Sequence, residues 1–238
     1  MKGTLYGIGV GPGDPELLTL KAIRTIRGCD VIAAPVSGGE KQTALDIARE
    51  YVGEKQVLSL ALPMTRDEDA LRQKRAAAAD RVREKLDEGK NVGFLTLGDP
   101  MIYSTYSYLH TILGNRGYAV EVVPGVTSFC AAAAALGEPL CEGGEALHII
   151  PASYGDLTGA LALDGVKVLM KSGKSLNAAI GLIKADKRRP KASLAARVGM
   201  KGERLVRDLR SKDDAPGAEY FSVMIVKPRI AAKKEEIE

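Results

Sequence analysis

LYGIGVGPG at Leu5–Gly13, FLTLGDP at Phe94–Pro100 and VVPGVTS at Val122–Ser128 decide the fold of this 238-residue chain. Each opens on an apolar run of strand type and ends in a turn built on Gly, Pro or Asp. Where such strands alternate with helices, the repetition predicts a mostly parallel sheet covered on both faces. Three glycine turns behind three strands would converge on one sheet edge, leaving backbone N–H and C=O groups to a ligand. That is the layout of a cofactor cleft.

Working outward, Gly3–Val10 reads as a strand. Pro15–Ile26 reads as a helix, with Asp14 as its cap and Leu17, Leu18, Leu20, Ile23 and Ile26 on one face. Strands at Val31–Ala34, Val57–Leu60, Asn91–Leu95 and Ala119–Val123 alternate with helices at Thr43–Val52, Asp67–Glu88 and Met101–Leu113. Beyond Pro124 the pattern changes. An alanine-rich helix is expected over Val126–Leu136, then strands at Ala146–Pro151 and Val166–Met170 and a helix at Leu176–Lys184. The end carries β signals at Ala192–Val198, Leu205–Asp208 and Glu219–Val226. The expected organisation is two α/β domains, 1–123 with a mostly parallel sheet and 124–230 with a mixed one, then a charged tail over 231–238.

Apolar residues make up 45% and charged residues 27%, the balance of a chain that can bury a core. The three cysteines Cys29, Cys130 and Cys141 have no paired spacing, which argues against a disulfide framework and fits the cytoplasm. Cys130, inside the alanine helix, is expected to be buried. The first residues do not read as a signal peptide, and no apolar run reaches the roughly 20 residues of a membrane span. The net charge of +4 gathers in patches such as 184–191. Nucleic acid, a polyanionic small substrate and a solvated face each account for them.

Gly7, Gly9 and Gly11 superficially match a dinucleotide fingerprint, but Pro12 occupies the place of its last glycine. At Gly98–Asp99–Pro100, Asp99 either caps the next helix, with Pro100 at its first position, or offers its carboxylate to a ligand. Thr127 and Ser128 either donate hydroxyls to a ligand or cap a helix. His110 and His148, the two histidines, have no Cys or His at metal-ligand spacing, so no metal centre is expected. Ser104 lacks a nucleophile elbow. The chemistry therefore rests on positioning more than on a strong acid–base pair.

Gly7–Ala22 (GIGVGPGDPELLTLKA), Leu95–Leu109 (LTLGDPMIYSTYSYL) and Val122–Leu140 (VVPGVTSFCAAAAALGEPL) closely resemble the tetrapyrrole methyltransferases of cobalamin biosynthesis. The likeness runs from Gly3 to about Val226. The YST after GDP, the SF after PGVT and the IIPA at Ile149–Ala152 resemble the branch that methylates C20 of precorrin-2 or cobalt-factor II. The resemblance implies a homodimer with S-adenosylmethionine folded between two α/β domains, S-adenosylhomocysteine as product and a polyanionic tetrapyrrole as substrate. It implies that Pro12 lines the entry and that Leu97, Gly98, Asp99, Ile102, Tyr103 and Thr105 hold the methionine part and ribose. Thr127 and Ser128 would reach the cofactor, and Met170 and Gly199 would frame the adenine. Leu97 stands where the family often has a second glycine. Arg66, Lys171, Lys174 and Arg197 are the basic residues nearest loop ends for the substrate carboxylates, against the alternative of solvated side chains. Tyr106 and His110, at i and i+4 on one helix face, are the candidate proton acceptors; a substrate carboxylate or solvent would serve as well.

Two other readings are open at this level. One is a relative acting at another ring position or on diphthine; the other is a nucleotide- or RNA-binding protein suggested by the basic patches.

Overall fold

The computed structural model describes residues 1–36, 42–62, 67–210 and 221–228. The chain divides into two compact units, Met1–Thr127 and Ser128–Glu238. In the first, strands β1 (Thr4–Gly9), β2 (Val31–Val36), β3 (Gln56–Ala61), β4 (Val92–Thr96) and β5 (Ala119–Val123) form an all-parallel sheet in the order β3-β2-β4-β1-β5. Helices α1 (Leu20–Gly28), α2 (Thr43–Val52), α3 (Glu68–Asp87) and α4 (Tyr106–Asn115) make the crossovers.

The two faces are covered as parallel pairing demands. On one face Leu5, Ala33, Val92 and Phe94 pack with Val82 and Leu86 of α3 and with Tyr106, Leu109 and Leu113 of α4. On the other, Ile8, Ile32, Ala34 and Leu95 pack with Ala22 and Ile26 of α1 and with Leu45, Ile47 and Ala48 of α2. Along β1, Leu5 and Ile8 serve opposite faces, the two-residue alternation of a strand. From β1 the chain leaves toward β2, whereas β4 leads to β5 on the other side of β1. The ends of β1 and β4 therefore flank the point where the connections diverge, where open α/β sheets bind ligands.

Two expected helices begin differently. Pro15–Ile26 is not continuous: Pro15–Leu17 is a single 3-10 turn, extended Leu18 breaks it, and α1 starts at Leu20. Asp14 caps only the turn, accepting from the Glu16 amide at 2.9 Å, while the Thr19 hydroxyl caps α1 through the Ala22 amide at 3.0 Å. The helix expected from Met101 begins instead at Tyr106. Tyr103 has φ +50°, a left-handed conformation that no helix accommodates, and the Ser104 hydroxyl accepts from the Tyr106 amide at 3.0 Å.

The second unit opens with α5 (Ser128–Leu136) and contains β6 (Leu147–Pro151), α6 (Leu157–Ala162), β7 (Val166–Met170), α7 (Leu176–Ala185), β8 (Lys191–Ala196), β9 (Arg204–Val206) and β10 (Ser222–Lys227). Its sheet is mixed, in the order β6-β7-β10-β8-β9: β6 and β7 are parallel, and β10 runs antiparallel to β7 and β8. Leu169, Leu194 and Met224 of the sheet form its core with Leu176, Ala179 and Ile183 of α7. The six-residue α6, capped by Asp156, has no counterpart in the periodicity reading. Cys130 is exposed, contrary to expectation, because Phe129, Ala132, Ala133 and Leu136 take the buried side of α5. No helix among the described residues is long and apolar enough to cross a membrane.

Candidate functional site

The three glycine turns do meet. Beyond β1 and β4, Gly11 and Gly98 form an isolated antiparallel bridge, with Gly98 N donating to Gly11 O at 2.8 Å. This zips the first two turns together just past the parallel strands. The third turn lies against both. A Cβ on Gly125 would sit 2.2 Å from Gly98 O and 2.8 Å from Gly9 Cα, and one on Gly9 would sit 2.6 Å from Gly125 N. Backbone meets backbone here with no room for a methyl group. Gly98 also holds φ +73°, a conformation that glycine adopts without penalty.

Asp99 braces this cluster. One carboxylate oxygen accepts from the Met101 amide at 2.8 Å and the other from the Gly125 amide at 3.0 Å. The side chain therefore caps no helix; it closes its own turn and joins it to the next. Pro12 is buried beside the bridge, Leu97, Ile102 and Thr105 are half-buried, and Tyr103 and Met101 stand 45% and 53% exposed at the surface of the same loop. The buried hydroxyl of Thr127, two residues past Gly125, has no hydrogen-bond partner. Such a group costs free energy unless something satisfies it, which makes it a candidate hydrogen-bond partner for a ligand. Ser128 is the first residue of α5.

Tyr106 and His110 are adjacent as the i, i+4 spacing requires, with Tyr106 Oη 3.2 Å from His110 Nδ1. The tyrosine is fully enclosed, however, and its hydroxyl donates to Glu121 O at 2.7 Å. Burial, reinforced by the Glu121 charge, pushes its pKa up to about 12. Its ring lies on β1 where a Cβ on Gly7 would come within 2.2 Å of it.

In the second unit, the expected residues lie at the ends of β7 and β8, which run in the same direction on either side of β10. Met170 closes β7, and Lys171 follows with φ +51°. Burial holds the Lys171 ammonium below its ordinary pKa. Arg197 follows β8 with φ +55°, its amide donating to Phe221 O at 2.7 Å and its Nε buried without a partner. Gly199, at φ +71°, donates its amide to a Glu203 carboxylate oxygen at 2.8 Å. Lys174 belongs to the 3-10 turn Gly173–Ser175 ahead of α7. Arg66 lies outside the described residues.

Sequence reasoning assigned no roles to Gly9, Gly11 and Gly125, whose backbones build the cluster; their place at strand ends was the available signal. The unpartnered buried hydroxyl of Ser172 was also missed, and nothing in the sequence marks it. Among the described residues no group of three or more His, Cys, Asp and Glu is placed to hold a metal ion.

Comparison with known proteins sets this geometry in a family. The family model of Tetrapyrrole (Corrin/Porphyrin) Methylases matches residues 4–212. A protein of Methanocaldococcus jannaschii, named a probable cobalt-precorrin-2 C(20)-methyltransferase, is 41% identical over 76% of this chain and 76% of its own length. The cobalt-precorrin-2 C(20)-methyltransferase of Salmonella typhimurium is 35% identical over 95% of this chain and 97% of its own. Among solved structures, uroporphyrin-III C-methyltransferase of Thermus thermophilus, complexed with S-adenyl homocysteine, shares the fold. Its TM-score is 0.68 at 23% identity, over 94% of this chain and 97% of that one. The chain is a member of the tetrapyrrole methylase family.

Proposed function

We propose that this protein transfers the methyl group of S-adenosylmethionine to C20 of cobalt-precorrin-2, releasing S-adenosylhomocysteine. Support for the substrate comes from relatives named for that reaction that align over most of the chain. The donor assignment rests on one observation above all: three glycine turns meet at a sheet edge beside a buried, unpartnered Thr127 hydroxyl. The donor set fits a ligand without phosphate groups, because it offers backbone groups and hydroxyls in place of a phosphate-binding loop. The Thermus relative was solved with the demethylated form of such a donor.

S-adenosylmethionine supplies an electrophilic methyl on a cationic sulfur, open to in-line attack by an electron-rich macrocycle carbon. The task of this chain is to hold, align and keep out water. In this proposal Pro12, Leu97, Gly98, Ile102, Tyr103, Thr105, Thr127 and Ser128 hold the methionine and ribose parts, with Asp99 in the same turn. Met170 and Gly199 take the adenine. Lys171, Lys174, Arg197 and Arg66 complement the substrate's peripheral carboxylates and steer its approach. The Tyr106–His110 pair is assigned a structural role, since an enclosed hydroxyl with a raised pKa is a poor proton acceptor at neutral pH. The lost proton then passes to a substrate carboxylate or solvent. The reading extends to a homodimer in the cytoplasm, on the family resemblance and on three unpaired cysteines.

Turnover of the metal-free and cobalt-containing macrocycles with methyl-labelled donor tests the substrate. Faster transfer to the cobalt form, with the label on C20, is the expected result. Label on any other carbon overturns the proposal.

A further inference from the structure

We infer that Asp99 is a positioning residue, a latch that fixes the turn after β5 against the turn after β4. This rests on the proposed donor site and deepens it, since a conventional assignment would pair the carboxylate with the donor's ammonium group. Both oxygens are already engaged by backbone amides, Met101 N at 2.8 Å and Gly125 N at 3.0 Å. The second bond spans 26 residues and reaches the point where no side chain can brace the contact. Gly125 is held so close to Gly98 O and Gly9 that even a Cβ is excluded. A carboxylate accepting two amides is a strong, directional tie, stronger than a neutral acceptor in its place. Two residues along the same turn stands the unpartnered Thr127 hydroxyl, so a shift at Gly125 carries that donor out of place. Asp99 thus acts on ligands through Gly125 and Thr127, and its loss is felt by every ligand of the site, charged or not.

The test pairs one conservative variant with two ligands. S-adenosylhomocysteine carries the ammonium and carboxylate; 5′-methylthioadenosine carries neither. Calorimetric dissociation constants are measured for the wild-type protein and for Asp99→Asn, which retains one acceptor and loses the charge. The latch predicts that both ligands weaken by the same factor, about tenfold, with the two factors agreeing within about twofold. Weakening confined to S-adenosylhomocysteine overturns it and makes Asp99 a direct ligand. In the ligand-free proteins, the latch also predicts at least about tenfold less hydrogen-exchange protection of the Gly125 amide in Asp99→Asn. Unchanged protection overturns the latch. If the wild-type protein binds neither ligand the donor reading fails, and the exchange measurement still decides the latch.

Discussion

At the scale of single residues, Tyr106 looks catalytic in sequence, while its enclosure and its hydrogen bond favour the structural role proposed above. Its spacing to His110 invited a proton-transfer role, and the two rings do meet edge to face, 5.6 Å apart. Yet the hydroxyl is spent on Glu121 O, tying α4 to β5. Tyr106→Phe removes that bond and leaves a part-buried carbonyl short of a donor, so unfolding should become easier by about 1 kcal/mol in denaturant titration, with kcat unchanged within about twofold. A large fall in kcat at unchanged stability would restore the catalytic assignment. Gly125→Ala belongs to the same scale. Its new Cβ would fall 2.2 Å from Gly98 O, so the turns must part. We expect about 1–3 kcal/mol of destabilisation and at least a tenfold loss of S-adenosylhomocysteine affinity by calorimetry.

At the scale of elements, strands were more legible than helix starts. Alternating or continuous apolar runs located every strand of the first sheet, because β4 is buried along its whole length while the edge strand β3 alternates buried and exposed positions. Helix boundaries depend on local hydrogen bonds that periodicity does not report. Leu17 and Leu18 continue the apolar spacing of α1, so the pattern concealed the break that the Thr19 hydroxyl fixes. Thr19→Ala should cost about 1 kcal/mol in Tm-based stability, whereas Asp14→Ala, capping one turn, should cost less. Equal losses would indicate that the 3-10 turn and α1 melt together. The alanine helix α5 was misread for a different reason: with nearly every residue small and apolar, the sequence offers no contrast to orient Cys130. The convergence of the three turns was legible, since parallel strands bring their carboxyl ends to one edge. The brace at Asp99 was not, because its partner lies far away in sequence and is a backbone amide.

At the scale of the whole molecule, two buried acidic hydrogens couple stability to alkaline pH. Burial raises the Cys29 thiol from 9.0 to about 12, and Tyr106 from 10.0 to about 12. Above about pH 9 the unfolded chain therefore releases these protons before the folded one does. The folded state then holds more protons, so stability is fully present below pH 9 and declines as pH climbs toward 12. Denaturant midpoints measured from pH 7 to 11 should fall across the upper half of that range; a flat profile would contradict the burial of both groups. The same burial predicts that a thiol reagent at pH 8 labels Cys130 and Cys141 in the native protein and reaches Cys29 only on unfolding. Sedimentation should give twice the 25.3 kDa of one chain if the proposed homodimer forms.

The most direct measurement is a crystal structure of the protein grown with S-adenosylhomocysteine. The ligand should lie against Gly98 and the turn after β5, with the Thr127 hydroxyl bonded to it. Density for the ligand elsewhere, with Thr127 still unpartnered and the glycine turns bare, would contradict the assignment of this sheet edge as the methyl-donor site.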